Sequence, residues 1–454
     1  METRKSTFER PVINRVNAGL PDKFGMHSKL RSMPEIDSIP VESLIGLYGS
    51  PLFVLSEKTI RETMSDAKRA FTTRYPKVQF AWSYKTNYLD AVCRVFHQEG
   101  SWAEVVSGFE YEKAVANGVE GQFILFNGPG KTTEDIDRAI TQGSMIHLDH
   151  FDELFLVMGC AERLGKRAKV ALRINMDTGI YPRWDRFGFN YENGEAWQAV
   201  NKILPDSRLE LVGLHTHIGT YILSTNAYAV ATTKLAELTV RIQRKFNHTI
   251  KYIDLGGGFA SRNTVKGAYL PGTDTCPSFD NYAEAITASL VNSEIQHDKM
   301  PMLILETGRA LIDDAGCLLG TVLANKRLVD GRLSMILDIG VNMLFTSFWY
   351  EHAVVPSKET SDYTENTTIY GPLCMNIDVI RDAVQFPVLE RGDHVVVNRV
   401  GAYNMTQWLQ FITYRPNVVM IGMKGDVDVI RKAENYSSLS MHEHIPDHLI
   451  HFRL

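Results

Sequence analysis

Between about Pro51 and Ala315 the chain alternates short β-rich runs with longer amphipathic stretches, and this rhythm restricts the fold more than any other feature. The runs are VQFAWSY, SWAEVVS, QFILFN, SMIHLDH, KVALRIN, LVGLHTHI, KYIDLGGG and MLILETG, eight in all. Between them lie segments such as NYLDAVCRVFHQEG, TTEDIDRAITQG and FDELFLVMGCAERLGK. In the last of these Phe151, Leu154, Phe155 and Met158 recur near one helical face. Strand and helix repeated eight times is the pattern of a closed (β/α)8 barrel, with an open doubly wound sheet as the alternative. The residues that end the runs favour the barrel: Lys85, Glu104, Asn127, Asp149, Arg173, His217, Asp254 and Glu306. A barrel gathers all these ends on one face, where such folds keep their chemistry, whereas an open sheet spreads them along an edge.

After about Ala315 the rhythm changes. LLGTVLANKRLV, RLSMILDIG, TTIYG, HVVVNRV and NVVMIGM read as strands with little helix between them, as in an antiparallel β-sandwich or barrel. A chain of 454 residues is long for one core and is expected to divide. Residues 1–49 form an N-terminal extension that partly joins the β domain, 50–314 the barrel, and 315–454 the C-terminal β domain. SPLFVLSE, from Ser50 to Glu57, is a candidate first strand of the β domain contributed from before the barrel. Residues 1 to about 40 show no period and are expected to be irregular.

A formal net charge of -5, with no basic run, argues against a nucleic-acid binder. No window is apolar for long enough to cross a bilayer or to serve as a secretory signal. The five cysteines are scattered with no CxxC pair, which fits reduced thiols in a cytoplasmic protein and offers no metal site.

Lys85 ends the first run in SYKTN. A lysine attacks an aldehyde only when its amine can be uncharged, which burial in a barrel mouth favours. The seventh run ends in Asp254-Leu-Gly256-Gly257-Gly258-Phe259, and the eighth in Glu306-Thr-Gly308-Arg309. Glycines let backbone N–H groups approach an anion closely, and phosphate sites in these barrels commonly follow strands seven and eight. Glu306, beside a pyridine ring, would keep the ring nitrogen protonated and so maintain an electron sink. His217, in LHTHIGT, could lie flat against such a ring. Taken singly, each has an ordinary explanation: a solvated lysine, a tight turn, a salt-bridged acid, a hydrogen-bonded core histidine.

The ordered series SYKTN, EVVSG, HTHIG, DLGGGF, ETGR, GPLC and GAY, spanning about Leu52 to Ile430, resembles the fold-type III pyridoxal-phosphate decarboxylases. These are the diaminopimelate, ornithine and arginine decarboxylases, with alanine racemase as a distant relative. The resemblance implies pyridoxal 5'-phosphate carried on Lys85 as a Schiff base, with His217 stacked on its ring and Glu306 paired with its nitrogen. It implies phosphate binding by Gly256, Gly257, Gly258, Gly308 and Arg309, joined by Thr220 and Tyr403. Glu104, where the family has an aspartate, would share a charged network with Arg173 and Lys85. Cys374, in YGPLCMNID, would reach into the neighbouring subunit's site, which implies an obligate head-to-tail homodimer.

Two positions depart from the family. The residue after the cysteine is acidic in the diamino-acid decarboxylases and pairs with the substrate's distal ammonium, but here it is Met375. At Thr346 the diaminopimelate enzymes carry an arginine that binds a substrate carboxylate; Tyr350 is retained. The expectation is an amino-acid decarboxylase for a larger or capped substrate, such as a side-chain conjugate of siderophore or antibiotic assembly or a carrier-bound unit. The alternative is diaminopimelate, with Arg183 and Arg186 as substitute cations. An amino-acid racemase is the nearest rival, but racemases pair the pyridine nitrogen with an arginine rather than an acid like Glu306. A regulatory homologue without cofactor is disfavoured because the lysine, the glycine loops, Glu306 and Cys374 occur together.

Overall fold

The computed structural model describes residues 30–361 and 363–450. The expectation for residues 1–29 lies outside the described part. Eight strands form a closed parallel ring: β2 (Val78–Ser83), β3 (Trp102–Val105), β4 (Ile124–Phe126), β5 (Met145–Leu148), β6 (Ala168–Asn175), β7 (Leu209–His215), β8 (Tyr252–Asp254) and β9 (Met302–Leu305). Each pairs in parallel with the next, and β9 pairs with β2 to close the barrel. All eight runs read from the sequence are barrel strands, and the open sheet is excluded.

Helices follow β2 to β8 in turn, and helix Glu57–Thr72, ahead of β2, packs against Asp90–Gln98 and Phe279–Val291 to complete the outer ring. Local chemistry sets their ends. Thr132 accepts the Asp135 N–H at the start of helix Thr133–Gln142, the Asp135 carboxylate returns to the Thr132 N–H, and Gly143 ends the helix at φ 76°. Helix Phe151–Leu164 buries Leu154, Val157 and Ala161, spaced three and four residues apart. Phe155, expected on that face, is exposed and lies under the Lys202 ammonium at 5.7 Å. At 100° per residue it has rotated off the buried stripe that its neighbour Leu154 defines.

The C-terminal part is a sheet in the order β14 (Val379–Pro387), β13 (Thr364–Tyr370), β11 (Leu333–Leu337), β10 (Gly316–Arg327), β1 (Leu52–Ser56), β16 (Asn417–Ile421), β17 (Val427–Arg431). β15 (His394–Asn398) also pairs with β10, and β12 (Val354–Pro356) with β15. The sheet is mixed rather than antiparallel throughout, because β1 pairs in parallel with β16 and β11 with β13. β1 lies between β10 and β16, in the middle of the sheet. Helix Val41–Tyr48, in the stretch preceding β1, packs Val41 and Leu44 onto Leu52, Val54, Leu319 and Val419.

Candidate active site

Barrel side chains point inward at every second residue. The lower layer is mostly apolar: Ala81, Leu125, Met145, Ala171, Val212, Tyr252 and Ile304, with Trp102 against them. Two residues further toward the C-terminal end on seven strands, and three on β7, where a bulge follows Leu211, the next layer is polar: Ser83, Glu104, Asn127, His147, Arg173, His215, Asp254 and Glu306. Of these only Arg173 is more than marginally accessible. Buried polar groups of this density need partners, and most but not all of their atoms find one: Asn127 Oδ1, Nδ1 of His147 and of His215, and Asp254 Oδ2 have none. Ser83 Oγ donates to Glu104 Oε2 at 2.5 Å, and Asn127 Nδ2 donates to Glu104 Oε1 at 3.0 Å and to Glu306 Oε1 at 2.6 Å. His215 Nε2 lies 3.3 Å from Glu306 Oε2, and His147 Nε2 lies 2.9 Å from the Tyr252 hydroxyl.

Lys85 stands one step higher, in the turn after β2. Its side chain is 40% exposed, yet its Nζ reaches 2.6 Å from Oε2 of the fully buried Glu104. Burial works against the ammonium, but the carboxylates of Glu104 and Glu306 and the Tyr403 phenol outweigh it and hold the pKa above its ordinary value. Burial therefore does not free this amine, as the sequence argument expected; the adjacent carboxylate decides its charge. Arg173 also differs from expectation. Its Nη1 bonds Asp149 Oδ2 at 3.2 Å, and its guanidinium lies 4.5 Å from the centre of the Phe187 ring, so it joins Asp149 rather than the Lys85–Glu104 pair.

The glycine turn is forced by close packing. A Cβ on Gly258 (φ 98°) would stand 2.3 Å from the Gly219 carbonyl oxygen, and one on Gly257 2.9 Å from that of Glu306. A Cβ on Gly308 would stand 2.1 Å from Thr86 Oγ1. Two of the three N–H groups expected to face an anion are used inside the protein. Gly256 N donates to Asp254 Oδ1 at 2.8 Å, and Gly257 N to His217 Nδ1 at 3.1 Å. His217 is held neutral chiefly by burial, with the positive charges of Arg173 and Lys85 adding to the effect, and the Trp184 ring stands edge-on to it at 5.2 Å.

Opposite the turn, Arg309 donates to the Tyr350 hydroxyl, lies 4.5 Å over the Tyr403 ring and reaches Thr220 Oγ1 at 3.5 Å. Tyr350 and Tyr403 come from the C-terminal part. Tyr403, at φ 65°, donates its N–H to the Thr86 carbonyl at 2.8 Å, and Thr406 Oγ1 donates to that of Lys85 at 2.9 Å. The lysine turn is thus clamped from the β domain. A buried Arg309 guanidinium, a lysine amine above an acidic floor and a backbone cradle with no room for a Cβ fit a phosphorylated aldehyde.

Thr346 is 1% exposed, and both roles of its hydroxyl are taken: it accepts from His352 Nε2 at 2.8 Å and donates to Asn404 Oδ1 at 2.8 Å. Met375 and the exposed Cys374 lie in a loop pinned by Asp378, whose oxygens accept the Val341 and Leu373 N–H groups at 2.8 and 2.7 Å. Arg183 is paired with Asp177 at 3.0 Å, and Arg186 lies over Phe187 at 4.8 Å. The sequence reading missed Ser83, His147, His215, Tyr252 and Trp184. The first three were detectable, since each stands at the inward step that brings Glu104 or Glu306 into the layer.

The profile of the family described as pyridoxal-dependent decarboxylase, pyridoxal binding domain, matches residues 57–313. A diaminopimelate decarboxylase of Methanocaldococcus jannaschii is 30% identical over 91% of this chain and 96% of its own length. That of Bacillus subtilis is 27% identical over 89% of this chain and 94% of its own length. The crystal structure of the M. jannaschii enzyme superposes with a TM-score of 0.84, covering 92% of this chain and 97% of that one. With the acidic floor, the lysine and the glycine cradle in place, the chain belongs to the fold-type III pyridoxal-phosphate-dependent decarboxylases.

Proposed function

We propose that this decarboxylase acts on an amino acid whose distal end is capped or conjugated and offers neither a free ammonium nor a free carboxylate. Pyridoxal phosphate supplies the electron sink for the bond that releases carbon dioxide. The chain's own residues do the rest. Lys85 provides the amine that anchors the cofactor, with Glu104 holding its proton. Arg309, Thr220, Tyr403 and the Gly258 and Gly308 backbone would hold the phosphate, Glu306 would serve the ring nitrogen, and His217 would pack against the ring. Cys374 completes the site of the partner subunit in a homodimer; its exposure supports this reading.

The names of the relatives support diaminopimelate, the alternative substrate, better than they support a capped one. The observation that keeps the capped substrate in front is Met375, an apolar thioether next to Cys374 that cannot compensate a desolvated ammonium. The buried Thr346 likewise offers no cation to a carboxylate. The only substitutes named from the sequence, Arg183 and Arg186, already hold Asp177 and Phe187. Decarboxylation is to be assayed on diaminopimelate, lysine, ornithine and arginine beside a pool of side-chain conjugates, with loss of carbon dioxide read by mass. Turnover is expected among the conjugates. Efficient turnover of free diaminopimelate would overturn the proposal.

A further inference from the structure

Asp254 and Glu306 end adjacent strands β8 and β9, both buried, and both stand in the polar layer. Together with His147 and His215 they present nitrogen and oxygen atoms all within 4.8 Å of one another. No cation is assigned to the two acids. Lys85 bonds Glu104, Arg173 bonds Asp149, and burial holds His147 and His215 neutral. Two carboxylates this close and this dry cannot both ionise.

Their surroundings decide which one keeps the proton. Glu306 accepts from Asn127 Nδ2 at 2.6 Å and faces His215 Nε2 at 3.3 Å. Asp254 accepts a single backbone N–H, that of Gly256, on Oδ1, while its buried Oδ2 has no partner in the hydrogen-bond network. The other groups near it, Glu104 and the Tyr252 phenol, offer it no positive charge.

We propose that Asp254 is a neutral carboxylic acid whose Oδ2 hydroxyl faces Glu306, so that the pair carries one negative charge and presents it on Glu306. Asp254 is then a positioning residue. It solvates the Glu306 anion on the side away from the mouth, and through Gly256 it ties that anion to the glycine turn. Burial, followed by repulsion from Glu306, raises its pKa well above the ordinary aspartate value, in the same direction. The importance of this charge for the cofactor rests on the proposed place of Glu306 beside the ring nitrogen; the position of the proton does not.

Infrared difference spectra of the holoenzyme in H2O and D2O, with 13C at the side-chain carboxyl of either aspartate or glutamate, locate the proton. Among the described residues burial also raises Glu110, to about 7, Asp313, to about 6, and Asp338 and Asp378; at about pH 8.5 the first two are ionised and silent, and loss of the band in D254N separates Asp254 from the other aspartates. The expected result is one deuterium-sensitive protonated-carboxyl band that moves with the aspartate label and is lost in D254N. D254N, already neutral, is expected to keep the absorbance of the lysine-bound cofactor with its pH midpoint moved by less than about one unit. D254A, which removes the Gly256 acceptor, is expected to retain the cofactor several-fold less tightly, about one hydrogen bond's worth. A band that follows the glutamate label, or no such band, overturns the proposal, and the wild-type labelling decides this even if a variant fails to fold. Loss of the cofactor absorbance in wild type would count against the role of Lys85 and leave the carboxyl assignment standing on its own band.

Discussion

Gly257 donates its backbone N–H to Nδ1 of His217 at 3.1 Å, joining the glycine turn after β8 to the imidazole after β7. A nitrogen that accepts cannot carry the ring proton, so the neutral imidazole carries it on Nε2. One bond therefore sets the tautomer of a ring that stands beside the proposed cofactor, and it fixes a turn whose glycine N–H groups are mostly occupied.

Replacing His217 by Phe keeps a ring but removes that acceptor. Cofactor retention is expected to weaken about five- to tenfold, the size of one hydrogen bond, with the fold intact. Equilibrium titration with pyridoxal phosphate followed by absorbance measures it; unchanged retention would show that the bond does not matter.

Glu104 decides the charge on Lys85. In E104Q the lysine loses its 2.6 Å partner, its pKa falls, and more of the amine is free at neutral pH. Borohydride trapping of pyridoxal phosphate on the unloaded protein is expected to reach half-maximal rate at a lower pH than in wild type. An unmoved midpoint would mean that the carboxylate does not control the amine.

Glu110, buried near Glu104, accepts the Val106 N–H at 2.8 Å and has its pKa pushed up to about 7, first by burial and then by the Glu104 charge. A raised carboxyl favours the folded state below its unfolded pKa, and that contribution is lost as pH rises through the folded value. Between about pH 4.5 and 7 wild type is expected to lose on the order of 3 kcal/mol relative to E110Q, with little further change above. Denaturant unfolding of both proteins across that window tests this, and parallel curves would refute it.

If Cys374 serves the partner's site, K85A and C374A are each inactive alone and complement one another. Random reassortment of equal amounts makes half the dimers mixed, each with one intact site, so activity should recover to about a quarter of wild type. No recovery after verified subunit exchange would place Cys374 in its own chain's site.

How far the sequence could be read follows from its periods. The eight runs were legible because a buried parallel strand is short, apolar and followed by a helix with its own period, as in Met145–Leu148 and Phe151–Leu164. Lys85, Glu104 and Glu306 were legible as polar ends of apolar runs. His147 and His215 were hidden one residue pair inside two other ends, Asp149 and His217, because a strand's polar tail does not show where the pleat turns inward. The Asp149 partner of Arg173 was hidden for a different reason: ion pairing among several ends depends on side-chain reach across the barrel, which no spacing along the chain encodes. The burial of Thr346 rests on His352 and Asn404, the latter 58 residues further along the chain.

β1 lies between β10 and β16, so the chain starts the second sheet, leaves it for the whole barrel, and returns. The two ends of the barrel segment are consequently held on neighbouring strands. A cut near residue 314 does not release two complete halves, since the C-terminal fragment would lack its middle strand. Such a fragment is expected to recover its sheet only when Leu52–Ser56 is supplied, covalently or as a peptide.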